Sequence, residues 1–587
     1  MCRACQSSLI TKHLTSGLWR AQPSRRQFLA YAASAGAAAA AMSTGREAQA
    51  ADGADTIFRN GTIYPMTSAG RPVEALAIGG GKILAAGSVS DVSSLAHGAT
   101  RIVDLQGRVL FPGFIDPHHH TILSALVVEL TTNIGFEAYR TGAEALDALK
   151  ALAAKTPPGQ WITASFYDNL LQGGDLSMTD LDAVSTQHPI FVIYVNGHEG
   201  AANGLAFQLA KIPEDVGELP GGGHFGRRPD GKLNGLIYEP PALLRFMAVA
   251  LPPTTPELMS KSLASHAKRA AAAGNTTLHE PGSIKPEWVP MLAKLSNTLA
   301  VRMSGSLNTE SVEASKAFAS LGPGDKARKI PDSRFSLYGM KFWADGSNQA
   351  ESAAQTKPYL RTTERGKANY TVSQMADLCR AAKEAGWPIL IHCQGDAAID
   401  DALDAIEAAY GAHPATGLNV LQHATLARQD QLERTKRLGA EITFLPDLLY
   451  LYGSAYRDEI LGPERTEFMV PMAACLKAGI PFSLHTDAPV SPAGPLRLVQ
   501  IAVTRRCVID NSVIGADQVI EIDEALKAIM IHAARQIGLE DSIGTLEPGK
   551  EADLTVLESD PYKVNPDAIA DIKVSETWVA GERKFAA

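Results

Sequence analysis

Apolar and polar positions follow two different patterns along this chain. They alternate between glycine-rich turns in residues 54–110, and residues 543–585 have the same texture. Such alternation is typical of short antiparallel strands that bury one face. We therefore predict one composite β-sandwich that both ends of the chain form together, from residues 51–110 and 541–587.

The middle of the chain, residues 111–540, alternates short apolar segments with amphipathic helical stretches such as 373–385 and 399–410. That order is typical of parallel strands connected by helices. We therefore predict an α/β fold with a (β/α)8 TIM-like barrel. Its eight strands are expected at residues 109–115, 275–279, 300–307, 337–342, 389–392, 420–423, 441–445 and 482–486.

A large insertion is predicted after the first barrel strand. The chain runs from residue 116 to residue 274 before the second strand, which is far longer than one crossover helix needs. We expect residues from about 125 to about 265 to have strands of their own, near 160–165 and 189–195. Long insertions over a catalytic face commonly build the substrate pocket.

The first 50 residues predict an export signal. Residues 24–29 read SRRQFL, a twin-arginine motif, and a weakly apolar alanine-rich stretch follows at 30–42. Residues 48–50 read AQA, a cleavage site of the A-x-A type. We expect the Tat machinery to export the chain, with cleavage near Ala50, to the periplasm or the medium. The apolar run is shorter than the roughly 20 residues of a membrane span, so no membrane anchor is expected.

Composition describes a soluble protein with more than one domain. The 587 residues include 45% hydrophobic and 20% charged side chains, and the net charge is −9. This charge gives no general attraction to nucleic acid, and no nucleic-acid partner is expected. The expected partner is a small-molecule substrate. Four cysteines remain after the predicted cleavage site, too few and too scattered for a disulfide framework. A homodimer is left open.

Residues that can bind metal stand at the ends of predicted barrel strands. His118 and His120 are two positions apart, so they point the same way from an extended segment. The carboxyl ends of the strands in a parallel barrel converge on one face. Neutral imidazole suits zinc, so we expect one or two divalent ions, with Zn²⁺ favoured. The ligand set predicted at that face is His118, His120, Lys341, His392, His423 and Asp487.

Several motifs together resemble the amidohydrolase superfamily, in particular its YtcJ-like branch, which includes the N-substituted formamide deformylases. They are PGFIDPHHH (112–120), GMKFWADGSNQAESAAQTKPY (339–359), IHCQGDAAID (391–400), LQHAT (421–425) and LHTDAPVSP (484–492). The resemblance extends over residues 54–585 or so. It implies a metal-dependent hydrolase that cleaves a carbon–nitrogen bond other than a peptide bond, in an amide, N-acyl, N-formyl or cyclic amide compound.

The resemblance also implies roles for these residues. His118 and His120 would hold one metal, and His392 and His423 a second. An ammonium group has no lone pair, so Lys341 would become a ligand only as a carbamate formed with CO2, which bridges two metals. Asp487 would bind metal and act as the general base and then the general acid.

Other positions have weaker assignments. Asp345 is expected to orient Lys341, and Asp396 to orient His392. The segment QAE at 349–351, after the DGS motif, and the segment FLPD at 444–447 depart from the sequence that is usual in relatives, and both are expected to contact substrate. Weaker candidates for substrate contact are His198, His279, Glu280, Asp345 and His485.

Three alternatives stay open. The same centre could hydrolyse an ester or lactone. A deaminase with one metal is a second alternative, but relatives of that kind have a His-x-x-Glu motif, whereas residues 392–395 read HCQG. A periplasmic binding protein without turnover is a third, although the whole ligand set is present. Metal content separates these classes: two ions favour the hydrolase, one the deaminase and none the binder.

Overall fold

The structure is a computed structural model that describes residues 53–67, 70–197, 199–219, 223–309, 312, 316, 327–411, 418–492 and 494–587. The predicted export signal and His198 lie outside the described residues. Throughout these ranges, no helix combines the length and the apolar character that a membrane span requires.

Both ends of the chain contribute to one hydrogen-bonded sheet, as the alternation predicts. Its strands are β1 (Thr56–Ile63), β2 (Val73–Gly79), β3 (Lys82–Gly87), β4 (Arg101–Asp104), β5 (Val109–Pro112), β21 (Leu554–Leu557), β22 (Val574–Val579) and β23 (Glu582–Ala586). Their order is β23-β22-β21-β5-β1-β2-β3, and β4 pairs with β1. The antiparallel pair β5–β21 joins the two ends. Phe58 and Trp578 pack edge to face across the halves, with ring centroids 5.2 Å apart.

Eight parallel strands form the barrel. They are β6 (Phe114–Asp116), β13 (Asn275–Ile284), β14 (Arg302–Asn308), β16 (Phe335–Trp343), β17 (Ile389–Cys393), β18 (Val420–His423), β19 (Glu441–Phe444) and β20 (Phe482–Leu484). They are neighbours in this order, and β15 (Arg328–Lys329) pairs antiparallel with β16. Between the last strand and the first, the Asp487 N–H donates to the His118 carbonyl over 3.0 Å. The predicted barrel is confirmed.

The prediction that residues 109–115 form one barrel strand is wrong. The structure divides it into β5, which belongs to the composite sheet, and β6, which belongs to the barrel. Gly113 lies between them, and its N–H donates to the Asp553 carbonyl over 2.8 Å. A Cβ atom at Gly113 would lie 2.1 Å from Thr276 Oγ1, so the chain can change sheets here only at a glycine.

The segment between β6 and β13 has a third sheet. Its strands are β7 (Thr132–Asn133), β8 (Ile162–Tyr167), β9 (Ile190–Tyr194), β10 (Glu199–Ala202), β11 (His224–Arg227) and β12 (Leu233–Tyr238). The order is β11-β12-β10-β9-β8-β7, with β7, β8 and β9 parallel. Strands β8 and β9 correspond to the two that the sequence predicts in the insertion.

Helices connect the strands and cover the barrel. The two that the sequence predicts, 373–385 and 399–410, are observed at Val372–Glu384 and Asp396–Tyr410. Short 3₁₀ helices lie at Pro286–Trp288, Ala516–Gln518 and Pro566–Asp571, and one π-helical turn at Tyr456–Ile460. The α-helices are α1 (Val89–Ser93), α2 (Thr121–Leu130), α3 (Gly142–Ala153), α4 (Met178–Val184), α5 (Gly204–Leu209), α6 (Pro240–Ala250), α7 (Pro256–Ala272), α8 (Val289–Ser296), α9 (Val372–Glu384), α10 (Asp396–Tyr410), α11 (Gln429–Arg437), α12 (Asp447–Ala455), α13 (Pro463–Glu467), α14 (Met472–Ala478), α15 (Pro495–Thr504), α16 (Ile522–Ala528) and α17 (Ile531–Gln536).

Candidate metal centre

The carboxyl ends of β6 and β20 bring one carboxylate against two histidines. Asp487 Oδ1 lies 3.0 Å from His118 Nε2 and 3.2 Å from His120 Nε2. All three side chains are buried. These residues form a group whose potential ligand atoms all lie within 4.8 Å of one another.

A second group shares His118 with the first. It consists of His118, His423 and His485, again with ligand atoms within 4.8 Å. His423 Nδ1 and His485 Nε2 are 3.1 Å apart, and the rings of His118 and His485 stack with centroids 4.6 Å apart. The sequence assigned His485 to substrate contact, but the structure brings it into this histidine cluster.

Several atoms of these groups lack an ordinary partner. Within the described ranges, His423 Nε2, Asp487 Oδ1 and the Nδ1 atoms of His118 and His120 have no hydrogen bond. Buried polar atoms are nearly always paired, so such a concentration indicates a missing partner. Burial lowers the pKa of His118 and His423 well below the usual value, and that of His485 to about 3. Against the effect of burial, the neighbouring Asp487 and Glu280 carboxylates raise the pKa of His120 to about 9. Three neutral imidazoles, a fourth histidine and a nearby carboxylate fit a divalent cation such as zinc.

Two residues of the centre have strained backbones. His423 has φ of 69° and Asp487 has φ of 53°, in the left-handed region that non-glycine side chains rarely adopt. Both stand where a barrel strand ends. Hydrogen bonds hold the turns, because the N–H of Ala424 donates to the Cys393 carbonyl over 2.9 Å and that of Asp487 donates to His118. Strain of this kind persists where the surroundings impose it, and it concentrates at functional sites.

Lys341 lies on β16 in the barrel interior and is fully buried. Its ammonium donates to Gln422 Oε1 and stands over the Trp343 ring, 5.4 Å from the centroid. Gly282, with φ of 84°, makes room for it, because a Cβ there would lie 2.4 Å from Lys341 Cγ.

His392 stands at the end of β17 but joins neither group. Its Nε2 lies 2.9 Å from the Gly346 carbonyl oxygen and 3.5 Å from Asp345 Oδ1. The ring centroids of His392 and His423 are 4.6 Å apart, so His392 borders the cluster. The sequence paired His392 with His423 on a second metal, whereas in this geometry His485 occupies that position.

Asp345 organises the loops behind His392. It accepts backbone N–H groups from Ala354, Gln394 and Gly395, at 3.0, 2.9 and 2.8 Å. Burial raises its pKa to about 7. These contacts make Asp345 a structural carboxylate at the base of the site, beside His392. Its expected roles, orienting Lys341 and contacting substrate, stay predictions.

His279 and Glu280 end the second predicted barrel strand and lie behind the histidine cluster. The two ring nitrogens of His279 are each 3.1 Å from a serine hydroxyl, Ser304 Oγ and Ser306 Oγ. Glu280 Oε2 accepts the Ile122 N–H over 2.8 Å, and its Oε1 is 3.6 Å from His120 Nδ1. His279 is therefore occupied inside the barrel, and Glu280 supports His120.

Sequence reasoning missed one carboxylate that shapes the centre. Asp116, on β6, accepts the His118 N–H over 3.2 Å and the Thr486 hydroxyl, and so links the ends of β6 and β20. The signal was available, since Asp116 precedes His118 by two positions, but the predicted role of that stretch rested on the histidines alone.

The amidohydrolase family profile matches residues 101–585, most of the chain. The chain belongs to the amidohydrolase family. It is an enzyme, a metal-dependent hydrolase of the amidohydrolase superfamily. The predicted resemblance is therefore confirmed.

Relatives of this amidohydrolase match along nearly their whole length. This chain is 26% identical over 553 residues to the N-substituted formamide deformylase of Arthrobacter pascens, and the match covers 90% of this chain and 98% of the relative. It is 25% identical over 544 residues to the amidohydrolase YtcJ of Bacillus subtilis, covering 90% and 98%. A metal-dependent hydrolase from Pyrococcus horikoshii has the same fold, with a TM-score of 0.68, 24% identity, and coverage of 87% and 99%.

Three cavities of this amidohydrolase adjoin one another beside Asp487, and Val195 and Val490 line all three. One of about 170 Å³ has Asp487 and His392 in its wall, and one of about 100 Å³ has Asp487 and His120. The largest, of about 330 Å³, is lined by the segment 488–492 that follows Asp487. The 170 Å³ cavity is also lined by Gln349, Ala350 and Leu445. They belong to the two segments whose sequence departs from that of relatives.

Proposed function

We propose that this amidohydrolase cleaves the C–N bond at the carbonyl carbon of a small amide, N-acyl, N-formyl or cyclic amide compound. The observation that supports this most is the position of Asp487. Its Oδ1 lies 3.0 Å from His118 Nε2 without the angles of a hydrogen bond, and the side chain lines two cavities. A carboxylate so placed can exchange a proton with a reacting water and a leaving nitrogen.

His118, His120 and Asp487 would hold one divalent metal, and His118, His423 and His485 a second, with zinc as the favoured ion. Lys341, once carboxylated by CO2, would add an oxygen ligand from β16. His392 would join after releasing the Gly346 carbonyl. When bound, the metal polarises the carbonyl oxygen and makes hydroxide available near neutral pH.

Asp487 moves the proton in both halves of the reaction. Its Oδ1 accepts a proton from the water whose oxygen bonds to the carbonyl carbon. As the C–N bond breaks, the nitrogen takes the bonding electron pair, and Asp487 returns the proton to that nitrogen. Buried side chains around Asp487 limit bulk water in this step.

The test is hydrolysis of an amide panel by metal-loaded mature protein, with Asp487→Asn as the variant. Asparagine keeps the shape but cannot accept the proton, so we expect turnover to fall by roughly 10²–10⁴-fold. Metal content should fall less than in His118→Ala, because His118 belongs to both groups. Asp175→Asn is a matched control, since Asp175 lines none of the three cavities. Turnover of Asp487→Asn within about threefold of wild type would assign the proton transfer to another residue.

Metal analysis separates the alternatives that remain. About two ions per chain would favour the hydrolase, and one ion with release of ammonia from an aminated ring would favour a deaminase. Hydrolysis of esters or lactones without amides would leave the centre intact but change the substrate class.

We also infer export by the twin-arginine route, on the motif SRRQFL and the AQA site. Fractionation and N-terminal sequencing of the mature protein test this, with Arg25→Lys and Arg26→Lys together as the variant. A mature chain that begins after Ala50 outside the cytoplasm is expected. An uncleaved cytoplasmic chain would contradict it.

A further inference from the structure

A line of hydrogen-bonding side chains follows β19 and β20 and ends at the metal centre. Thr443 on β19 and Ser483 on β20 are partners in the parallel register, and their hydroxyl oxygens are 2.7 Å apart. Beyond Thr443 lies His485 Nδ1 at 2.9 Å, and beyond Ser483 lies Gln536 Oε1 at 2.5 Å. All four side chains are buried, so bulk water does not compete for these bonds. We call Thr443, Ser483 and Gln536 the hydrogen-bond relay.

The orientation of the Gln536 amide sets the direction of the relay. Its Nε2 donates to the Ile442 carbonyl over 2.9 Å and to Glu441 Oε2 over 3.1 Å. A backbone carbonyl can only accept, so the amide nitrogen must be on that side and the amide oxygen on the side of Ser483. An amide oxygen also can only accept, and the Ser483 hydroxyl therefore donates to Gln536.

Each hydroxyl has a single proton, and this decides where His485 has its own. Because the Ser483 proton is used on Gln536, the proton between Ser483 and Thr443 has to come from Thr443. The Thr443 oxygen is then left to accept from His485, so the ring proton of His485 is on Nδ1. If Thr443 donated to His485 instead, two hydroxyl oxygens 2.7 Å apart would face each other without a proton between them.

A proton on Nδ1 leaves the lone pair of His485 on Nε2, because a neutral imidazole has one N–H and one bare nitrogen. Nε2 faces the centre, where it lies 3.1 Å from His423 Nδ1. His485 also shares a group of potential metal ligands with His118 and His423. A metal ion binds a ring nitrogen that has no proton, so the relay favours the tautomer that can bind.

Resting on the metal centre proposed above, we propose that the relay holds His485 in the tautomer that a metal ligand needs, with the proton on Nδ1 and the Nε2 lone pair turned to the centre. Thr443, Ser483 and Gln536 are then positioning residues. They belong to neither metal group, and Ser483 and Gln536 act on His485 through Thr443. Partners of this kind fix the tautomer and the ring orientation of a ligand before the metal arrives.

The first experiment determines the tautomer in the mature protein after a chelator has removed the metal. Nitrogen-15 spectra of selectively labelled histidine distinguish a protonated ring nitrogen from a bare one, and His485→Gln identifies the signals of His485 by their loss. We expect the proton on Nδ1 in wild type. A proton on Nε2 would overturn the proposal, whether or not the protein hydrolyses amides.

The second experiment uses Ser483→Ala, a change at a residue that acts on His485 through another side chain. Without the Ser483 oxygen, the Thr443 hydroxyl turns to His485 Nδ1 as its acceptor. We expect the ring proton to move to Nε2 and zinc affinity, measured by competition with a chromophoric chelator, to fall by about 10–100-fold. An unchanged tautomer or an unchanged zinc affinity would refute the relay.

Ser575→Ala is the matched control for this variant. Ser575 is a buried serine on β22 in the composite sheet, and its hydroxyl donates to the Val556 carbonyl over 3.2 Å. The control variant also loses a buried hydrogen bond, so its stability should fall. Its His485 tautomer and its zinc affinity should stay those of wild type, and a change in either would show that Ser483→Ala reports general destabilisation.

Two variants of Thr443 separate the hydroxyl from the shape of the side chain. Thr443→Ser keeps the hydroxyl and should bind zinc within about threefold of wild type, whereas Thr443→Val keeps the shape and should bind zinc about 10–100-fold more weakly. Equal zinc affinity in the two variants would overturn the positioning role. If a variant proves unfolded in a melting curve, the wild-type spectrum still decides. Wild type that binds zinc but hydrolyses no amide would count against the proposed function and not against the relay.

Discussion

Glu280 gives the sharpest test of how the centre is built, because its two oxygens do separate tasks. Oε2 accepts the Ile122 N–H over 2.8 Å, at the first turn of α2. Oε1 lies 3.6 Å from His120 Nδ1, which is too far for a hydrogen bond. The other ring nitrogen of His120, Nε2, is the one that lies near Asp487. A small approach would complete a carboxylate–histidine–metal arrangement.

The two tasks separate in two variants. Glu280→Gln can keep the bond to Ile122 but loses the negative charge beside His120, so we expect metal affinity to fall by about 10–100-fold at nearly unchanged stability. Glu280→Ala loses both, and the buried Ile122 N–H left without an acceptor adds about 1–3 kcal/mol of destabilisation.

Zinc affinity is measured by competition with a chromophoric chelator, and stability by chemical unfolding of the metal-free protein. Glu257→Gln, at an exposed position on α7, is the control for loss of charge. Equal zinc affinity in Glu280→Gln and wild type would show that Glu280 acts on the helix alone, and the orienting role would be withdrawn.

Three further predictions follow from the same geometry. His118→Ala should lose nearly all metal by elemental analysis, whereas His485→Ala should lose about half, because His118 alone belongs to both groups; the same loss in both variants would contradict the shared ligand. Lys341→Ala should be nearly inactive, with partial rescue by bicarbonate plus a short carboxylic acid, and a carbon-13 carbamate signal should be present in wild type and absent in the variant; no such signal in active wild type would rule out the bridge. Burial raises the pKa of Glu441 from 4.5 to about 7. Ionisation in the folded state therefore lowers the free energy of unfolding as the pH rises from about 4.5 to 7. Glu441→Gln should unfold at a higher denaturant concentration than wild type at pH 8, and this difference should vanish near pH 4; a difference that does not depend on pH would contradict the assignment.

The barrel could be predicted because apolar runs alternated with helical stretches, and five of the eight runs carried a ligand-type residue at or just after the end. The ends of β17, β18 and β20 fall within two residues of the predicted ends. The break at Gly113 could not be seen, since an apolar run does not reveal which sheet a strand joins. It became visible only from the approach of Thr276, a residue distant in sequence.

The site was predictable in its ligand types and less so in their grouping. His485 and Asp487 are two residues apart on one strand end, yet which histidine faces His423 depends on how β18 and β20 twist. The sequence predicted that the insertion would help to build the substrate pocket, but it did not predict which residues line the cavities beside Asp487. Val195, Val490 and the pair Asp168–Tyr452 come from separate elements, and only the packing of the inserted segment on the barrel brings them together.

The pairing of β5 with β21 has a consequence for the order in which the chain can fold. β5 pairs with β1 on one edge and leads through Gly113 directly into the first barrel strand, but the partner on its other edge is made from residues 554–557, which are synthesised only after the whole barrel. The ribosome must therefore synthesise all eight barrel strands before β5 has its second neighbour. A nascent or truncated chain exposes that edge, and a cell that makes this enzyme must keep it from pairing with other chains until residues 554–557 arrive.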